Sequence, residues 1–236
     1  MDRNRKVIPG LKERWNVVRR SLDAVRRDTV FFLFDPWEER MEPAAAQQRP
    51  RRMGSLLVLM FGMQVATGIL LSLYYQPSPD RAYESVKYML TEVHFGTLIR
   101  SLHHWTAVAL ILVSLFHLLR VFFIGAFKYP RELNWLLGIL LLALLIGFSF
   151  TGHLLPWDAR AFWSGVRGTA FLERLPLFGH FLMTISRGGE EVGAATLIRF
   201  YSLHILILPW FFFGLLAAHL LLVRRHGLST REPERD

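Results

Sequence analysis

The sequence predicts an all-α integral membrane protein: a four-transmembrane-helix bundle preceded by an N-terminal amphipathic surface helix. Three observations carry that fold class. The chain is 52% hydrophobic and 20% charged, and the charges gather outside four long apolar runs. That is the distribution of a membrane protein, not of a soluble globule. Each run reaches the roughly 20 residues a helix needs to cross about 30 Å of hydrocarbon. Arginines flank the runs, so the formal net charge of +9 reads as topology and attraction to anionic lipid rather than nucleic-acid binding.

Residues 1–52 form a basic cytoplasmic and interfacial segment. Within Leu11–Phe32, Trp15, Val18, Leu22 and Val25 share one helical face, while Arg14, Arg19, Arg20, Arg26 and Arg27 lie elsewhere around it. This pattern suits a helix lying on the membrane surface. Asp35-Pro36 ends it. Residues 53–226 hold the spans, and 227–236 form a polar tail. Span A covers about Met53–Tyr75, with Tyr74, Tyr75 and Pro77 at its far interface. In the following connection, Tyr83, Val86, Leu90 and Val93 fall on one helical face, predicting a short interfacial helix over Ala82–Val93. Span B is Ile99–Ile124, and span C is Trp135–Leu155. The long connection after Pro156-Trp157 predicts helices at Ala159–Leu172 and Phe178–Ile185, broken by Pro176 and Gly188-Gly189. Span D is Leu197–Val223, with a kink expected at Pro209.

Four spans put both termini on one side. That side carries the arginine-rich N-terminal segment with Lys128, Arg131, Arg224 and Arg225, so it is expected to be cytoplasmic. Spans B and D then run parallel, both entering from outside.

Two histidine pairs dominate these parallel spans. His103 and His117 lie 14 residues apart in B, and His204 and His219 lie 15 apart in D. On a helix those spacings return to within about 40° and 60° of one face, roughly 21–23 Å apart along the axis. A single intramembrane histidine is usually a packed, hydrogen-bonded residue. Two at matched depths, repeated one layer down, are hard to obtain from packing alone. Neutral imidazoles suit iron, and a pair fills both axial positions of a haem without burying a charge. Zinc fits poorly, because two histidines leave its tetrahedron incomplete.

Gly54 and Gly68 in span A, and Gly138 and Gly152 in span C, repeat the 14-residue period. Small-residue helix packing alone can produce such a pattern. Matched to the histidine period, a glycine at each level leaves room for the edge of a flat macrocycle. Arg100, Arg199, Arg120 and Arg224 stand at the span ends, where guanidinium can pair with carboxylate or simply snorkel. Propionate contact is expected for Arg100 and Arg120. The chain has no cysteine, which excludes disulfides, thiolate metal ligation and thioether haem attachment within it.

Several motifs carry a family resemblance across about residues 53–226. They include Gln64-Val-Ala-Thr-Gly68, Ile99-Arg-Ser-Leu-His-His-Trp105, His117-Leu-Leu-Arg120, Thr151-Gly-His-Leu-Leu-Pro-Trp-Asp158, Thr196-Leu-Ile-Arg-Phe-Tyr-Ser-Leu-His204 and Ala218-His219. The chain resembles cytochrome b of the quinol:cytochrome c and quinol:plastocyanin oxidoreductases, most closely the split, b6-type form with four helices. The 15-residue spacing in span D is similar to the b6-type spacing. Lys128-Tyr-Pro-Arg-Glu-Leu-Asn-Trp135 and the His103-His104-Trp105 triplet look most like menaquinol-using bacterial versions.

The resemblance implies two haems b held by the bundle, His103 and His204 ligating an outer, lower-potential one and His117 and His219 an inner, higher-potential one. The four paired glycines match the family's haem-packing positions. His153, Trp157, Phe162 and Trp163 resemble one wall of an outer quinol-oxidation pocket, and Arg224 matches a polar position of the inner quinone-reduction pocket. No covalent haem is expected, since the position where some relatives carry a cysteine is Arg52. Ser149 replaces a glycine of some relatives, His153 stands where relatives often carry Tyr, and the residue 14 after His104 is Leu118, so His104 lacks a partner. The family's Pro-Glu-Trp-Tyr quinol-site motif does not occur in this sequence, so the resemblance implies an outer site completed by another chain.

The implied function is that of the cytochrome b subunit of a bc-type complex in a bacterial cytoplasmic membrane. It carries electrons from outer quinol oxidation to inner quinone reduction and contributes to proton translocation. Implied partners are a subunit IV-like C-terminal cytochrome b half, a Rieske iron–sulfur protein, a cytochrome c-type subunit, quinone, membrane lipid and a second complex in a homodimer. The rival reading is a dihaem b membrane anchor passing electrons from a dehydrogenase or hydrogenase to quinone. A haem-free transport or scaffold subunit is the non-redox alternative.

Overall fold

The computed structural model describes residues 51–226. The expected surface helix within 11–32 and the tail 227–236 lie outside the described residues. All regular structure described is helical. Helix α1 covers Arg51–Ser72, α2 Ala82–Thr91, α3 Gly96–Phe123 and α4 Glu132–Leu154. After these come α5 at Ala159–Glu173, α6 at Gly179–Arg187, α7 at Ala194–Ser202 and α8 at Leu208–His226. A π-helical segment, Leu203–Ile207, joins α7 to α8, so the last span is one continuous rod.

Among the described residues, four segments are long and apolar enough to cross a membrane: Met53–Ser72, Gly96–Phe123, Glu132–Leu154 and Ala194–Arg225. The chain is a multi-pass membrane protein. In hydrocarbon a helix satisfies its own backbone polar groups, which is why the spans are helical and why irregular backbone sits at their ends. The expected helices of both connections form, with boundaries shifted by at most two residues. At Pro209 the sequence predicted a kink. The chain widens one turn earlier, where the N–H of Leu208 bonds the carbonyl of Leu203.

Helix α1 packs along α3, α4 along α8, and α3 on α4. The central core is Phe61, Leu110, Leu141, Leu145 and Phe212, with the rings of Phe61 and Phe212 stacked at 4.1 Å. This core has a position as well as a composition. Phe61 lies midway between Gly54 and Gly68, Leu110 between His103 and His117, and Leu145 between Gly138 and Gly152. Phe212 stands at the middle of the His204–His219 interval. The bundle is therefore packed with hydrocarbon between two polar levels.

The connections are fixed by local chemistry. Gly96 follows α2 so closely that a Cβ there would overlap the Met89 carbonyl. Asp158 caps α5, its carboxylate accepting the Ala161 N–H at 2.7 Å. Gly188 ends α6 in the left-handed conformation, φ 84°. Arg187 ties the connection together, donating to Thr169 Oγ1, Glu190 O and Val166 O, while its own carbonyl accepts from Thr196.

Candidate functional site

The first histidine level is built from all four spans. His103 on α3 faces His204 in the π segment, with ring centroids 6.4 Å apart and planes at 68°. Each ring is held from the neighbouring helix by a threonine. Thr67 Oγ1 lies 2.9 Å from His103 Nδ1, and Thr151 Oγ1 lies 2.9 Å from His204 Nδ1. Both hydroxyls donate back to their own helices, Thr67 to the Met63 carbonyl at 2.7 Å and Thr151 to the Gly147 carbonyl at 2.9 Å. Their protons are thus spent, so each oxygen accepts the Nδ1–H. That assignment leaves Nε2 of both rings as a bare lone pair, the form a metal ligand requires.

The adjacent glycines complete the cradle. A Cβ at Gly68 would lie 3.3 Å from His103 Cε1, and one at Gly152 only 2.7 Å from His204 Cε1. At the first level, then, the glycines admit the imidazole itself. Thr67-Gly68 and Thr151-Gly152 do the same work on α1 and α4, so the α1–α3 pair is repeated in α4 and the last span.

The second level is less symmetric. His219 Nδ1 donates to the Asn134 carbonyl at 3.1 Å, and a Cβ at Gly138 would meet its Cε1 at an ordinary 3.8 Å. His117 Nδ1 is buried and has no hydrogen-bond partner among the described residues, and neither do Asn134 Oδ1 and Trp135 Nε1. Among the described residues, a Cβ at Gly54 would meet nothing within 4 Å.

The other expected residues fall as follows. Arg100 is half-buried near the start of α3. Arg120 is exposed, with Nη1 4.0 Å from Met53 Sδ. Arg199 is committed elsewhere, donating to the Ile185 carbonyl at 2.7 Å. Trp157, in the left-handed conformation at φ 52°, meets Phe162 edge-on at 5.8 Å, and Phe162 meets Trp163 at 5.5 Å. Exposed His153 makes no ring contact with this aromatic row, and Arg224 is exposed near the end of α8. Tyr75 donates to the Leu155 carbonyl at 2.6 Å, bracing the end of α1 against that of α4. Burial, then the neighbouring Tyr201, pushes its hydroxyl pKa up, so it stays a donor. A surface cavity of about 320 Å³ between the end of α1 and α2 lies away from both histidine levels.

Sequence reasoning did not assign roles to Thr67, Thr151 and Asn134. For the threonines a signal was present, since the Thr-Gly dipeptide recurs at matched positions in two spans. Asn134 acts through its backbone, which leaves no side-chain signature.

Comparison with known proteins decides the family. The cytochrome b/b6/petB model matches residues 45–227. The chain belongs to the cytochrome b/b6 family. Cytochrome b6 of Heliobacterium modesticaldum (strain ATCC 51547 / Ice1) is 45% identical over 177 residues, 75% of this chain and 83% of that protein. Cytochrome b6 of Synechococcus sp. (strain JA-3-3Ab) is 42% identical over the same length, 82% of that protein. A solved structure described as a hyperthermophilic respiratory Complex III superposes with a TM-score of 0.70 at 33% identity, over 78% of this chain. This chain spans about half of that one, 49%.

The residues present fit the cofactor the family implies. His103 and His204 would hold the group: their Nδ1 atoms are engaged by threonines, their Nε2 lone pairs are free, and their ring centroids stand 6.4 Å apart. The orphaned polar atoms around the second level suit a site finished by a polar group.

Proposed function

We propose that this chain is the cytochrome b subunit of a bc-type quinol:cytochrome c oxidoreductase. In this reading it holds two haems b, His103 and His204 serving the outer and His117 and His219 the inner. It carries electrons across the membrane between an outer quinol-oxidation site and an inner quinone-reduction site, contributing to proton translocation. The observation that carries the reading is the first level: two imidazoles from different spans, 6.4 Å apart, each with Nδ1 engaged by a threonine. The haems, when bound, supply one-electron redox centres that take no exogenous ligand. The chain's own residues orient the rings, fix their tautomers and exclude water between the levels.

The Trp157–Phe162–Trp163 row, with His153 nearby in sequence, supplies one wall of the quinol pocket. A chain like the C-terminal half of cytochrome b completes it. A Rieske protein and a cytochrome c-type subunit accept electrons, and complexes pair as a homodimer. Both termini are cytoplasmic, in a bacterial inner membrane, as the basic residues at the span ends support. No haem is attached covalently, because the chain has no cysteine.

Purification from membranes tests this. The expected result is two haems b per chain, with one lost in His117→Ala, and co-purification of a Rieske protein and a small membrane subunit. Absence of haem b, or retention of both haems in His117→Ala, sinks the reading. An outer dehydrogenase subunit in place of the Rieske protein points to the dihaem anchor.

A further inference from the structure

His103 and His117 stand 14 residues apart on an unbroken α-helix, whereas His204 and His219 stand 15 apart. On two unbroken helices the extra residue would rotate one pair by about 100° relative to the other. Yet both rings of the last span reach α4, His204 at Thr151 and His219 at the Asn134 carbonyl. The surplus is absorbed between them. Leu203–Ile207 is a π turn closed by Leu208 N–H on Leu203 O, and such a turn takes up an added residue inside an α-helix. It abuts Pro209, which has no N–H for the Ile205 carbonyl and crowds it with its ring. The rod is pinned on either side, by buried Phe200 packed on Phe150 and by Phe212 stacked on Phe61.

We propose that the π turn Leu203–Ile207, seated on Pro209, is a register device. It absorbs one residue so that His204 and His219 face the two levels with the same relative rotation as His103 and His117. The inference rests on the two-haem reading and deepens it.

Single-residue deletions in the full chain test it. Leu206 and Leu112 are comparably exposed leucines, 56% and 50%, one in the π turn and one in the unbroken α3. Deleting Leu206 is expected to turn the segment into plain α-helix, leave both flanks facing as they do, and keep the haem-to-chain ratio at two with unchanged low-spin spectra. Deleting Ile207 is expected to do the same. Deleting Leu112 is expected to halve the ratio. If both π-turn deletions halve the ratio, or neither chain accumulates in the membrane, the proposal is overturned, as it is if deleting Leu112 is harmless. His204→Ala and His219→Ala separate the two ideas. If these keep both haems, the ligand assignment itself fails. If each loses one haem while the π-turn deletions also do, only the register device fails.

Discussion

Thr151 turns a lone pair toward His204 Nδ1 at 2.9 Å because its own proton is already given to the Gly147 carbonyl. Thr67 stands in the same relation to His103. Each hydroxyl is thus a one-way acceptor. It orients the ring, fixes the proton on Nδ1, and raises the basicity of Nε2.

Thr151→Val keeps the branched shape and removes the acceptor. A buried Nδ1–H is left unpaired, and in the proposed two-haem reading the ring would donate less electron density to the iron. Loss of such outer partners typically weakens metal binding about 10–100-fold. The loss falls hardest on the ferric state, which needs that density most. For a one-electron couple, tenfold corresponds to about 59 mV. The midpoint potential of the first-level haem is expected to rise by on the order of 60 mV, with the other unmoved. Optical redox titration checks this, and an unchanged or lowered potential contradicts it.

Glycine substitutions should grade with the space beside each ring. The added methyl of Gly152→Ala would come within 2.7 Å of His204 Cε1, where something must shift. At Gly68 the approach is 3.3 Å, which a small ring movement relieves. Gly152→Ala is therefore expected to lose most of the first-level haem and Gly68→Ala only part of it. Haem-to-chain ratios from purified variants decide the order, and equal losses would count against a steric cause.

The fold was legible because hydrophobic runs and turn residues report directly on membrane crossing. Matching depth put His103 with His204 before any coordinates, since parallel spans leave no other pairing. The rest was hidden for physical reasons. The Nδ1 contact of His219 is with a main-chain carbonyl, so no residue type marks it. The π turn is a choice of hydrogen-bond register, and Pro209 signalled only that the regular ladder had to change there.

Arg187 makes three side-chain hydrogen bonds that hold the α5–α6 connection, one of them at 2.8 Å to fully buried Thr169. Its carbonyl accepts from Thr196 at the start of α7. Bonds to charged groups each contribute about 1.5–3 kcal/mol when well buried, and this side chain is only partly so. Arg187→Met is expected to lower stability by about 2 kcal/mol, with Arg187→Lys recovering only a fraction, because an ammonium lacks the planar fork. Thermal unfolding of the detergent-solubilised protein measures this. A Lys variant as stable as the parent would show that the fork geometry is dispensable.

The two levels should differ in potential, and the hydrogen bonds give the direction. At the first level both rings donate Nδ1–H to an acceptor. At the second, only His219 does, and His117 Nδ1 has no partner among the described residues. More donation means a more electron-rich iron and a better-stabilised ferric state, so the first level is expected to have the lower potential. The hydrocarbon packed between the levels, with Phe61 stacked on Phe212, separates the two histidine levels, so that each proposed haem would keep its own environment. Titration should therefore resolve two waves. His204→Ala is expected to remove the low-potential wave and His219→Ala the high-potential one. The reverse assignment would mean that groups other than the Nδ1 partners set the potentials.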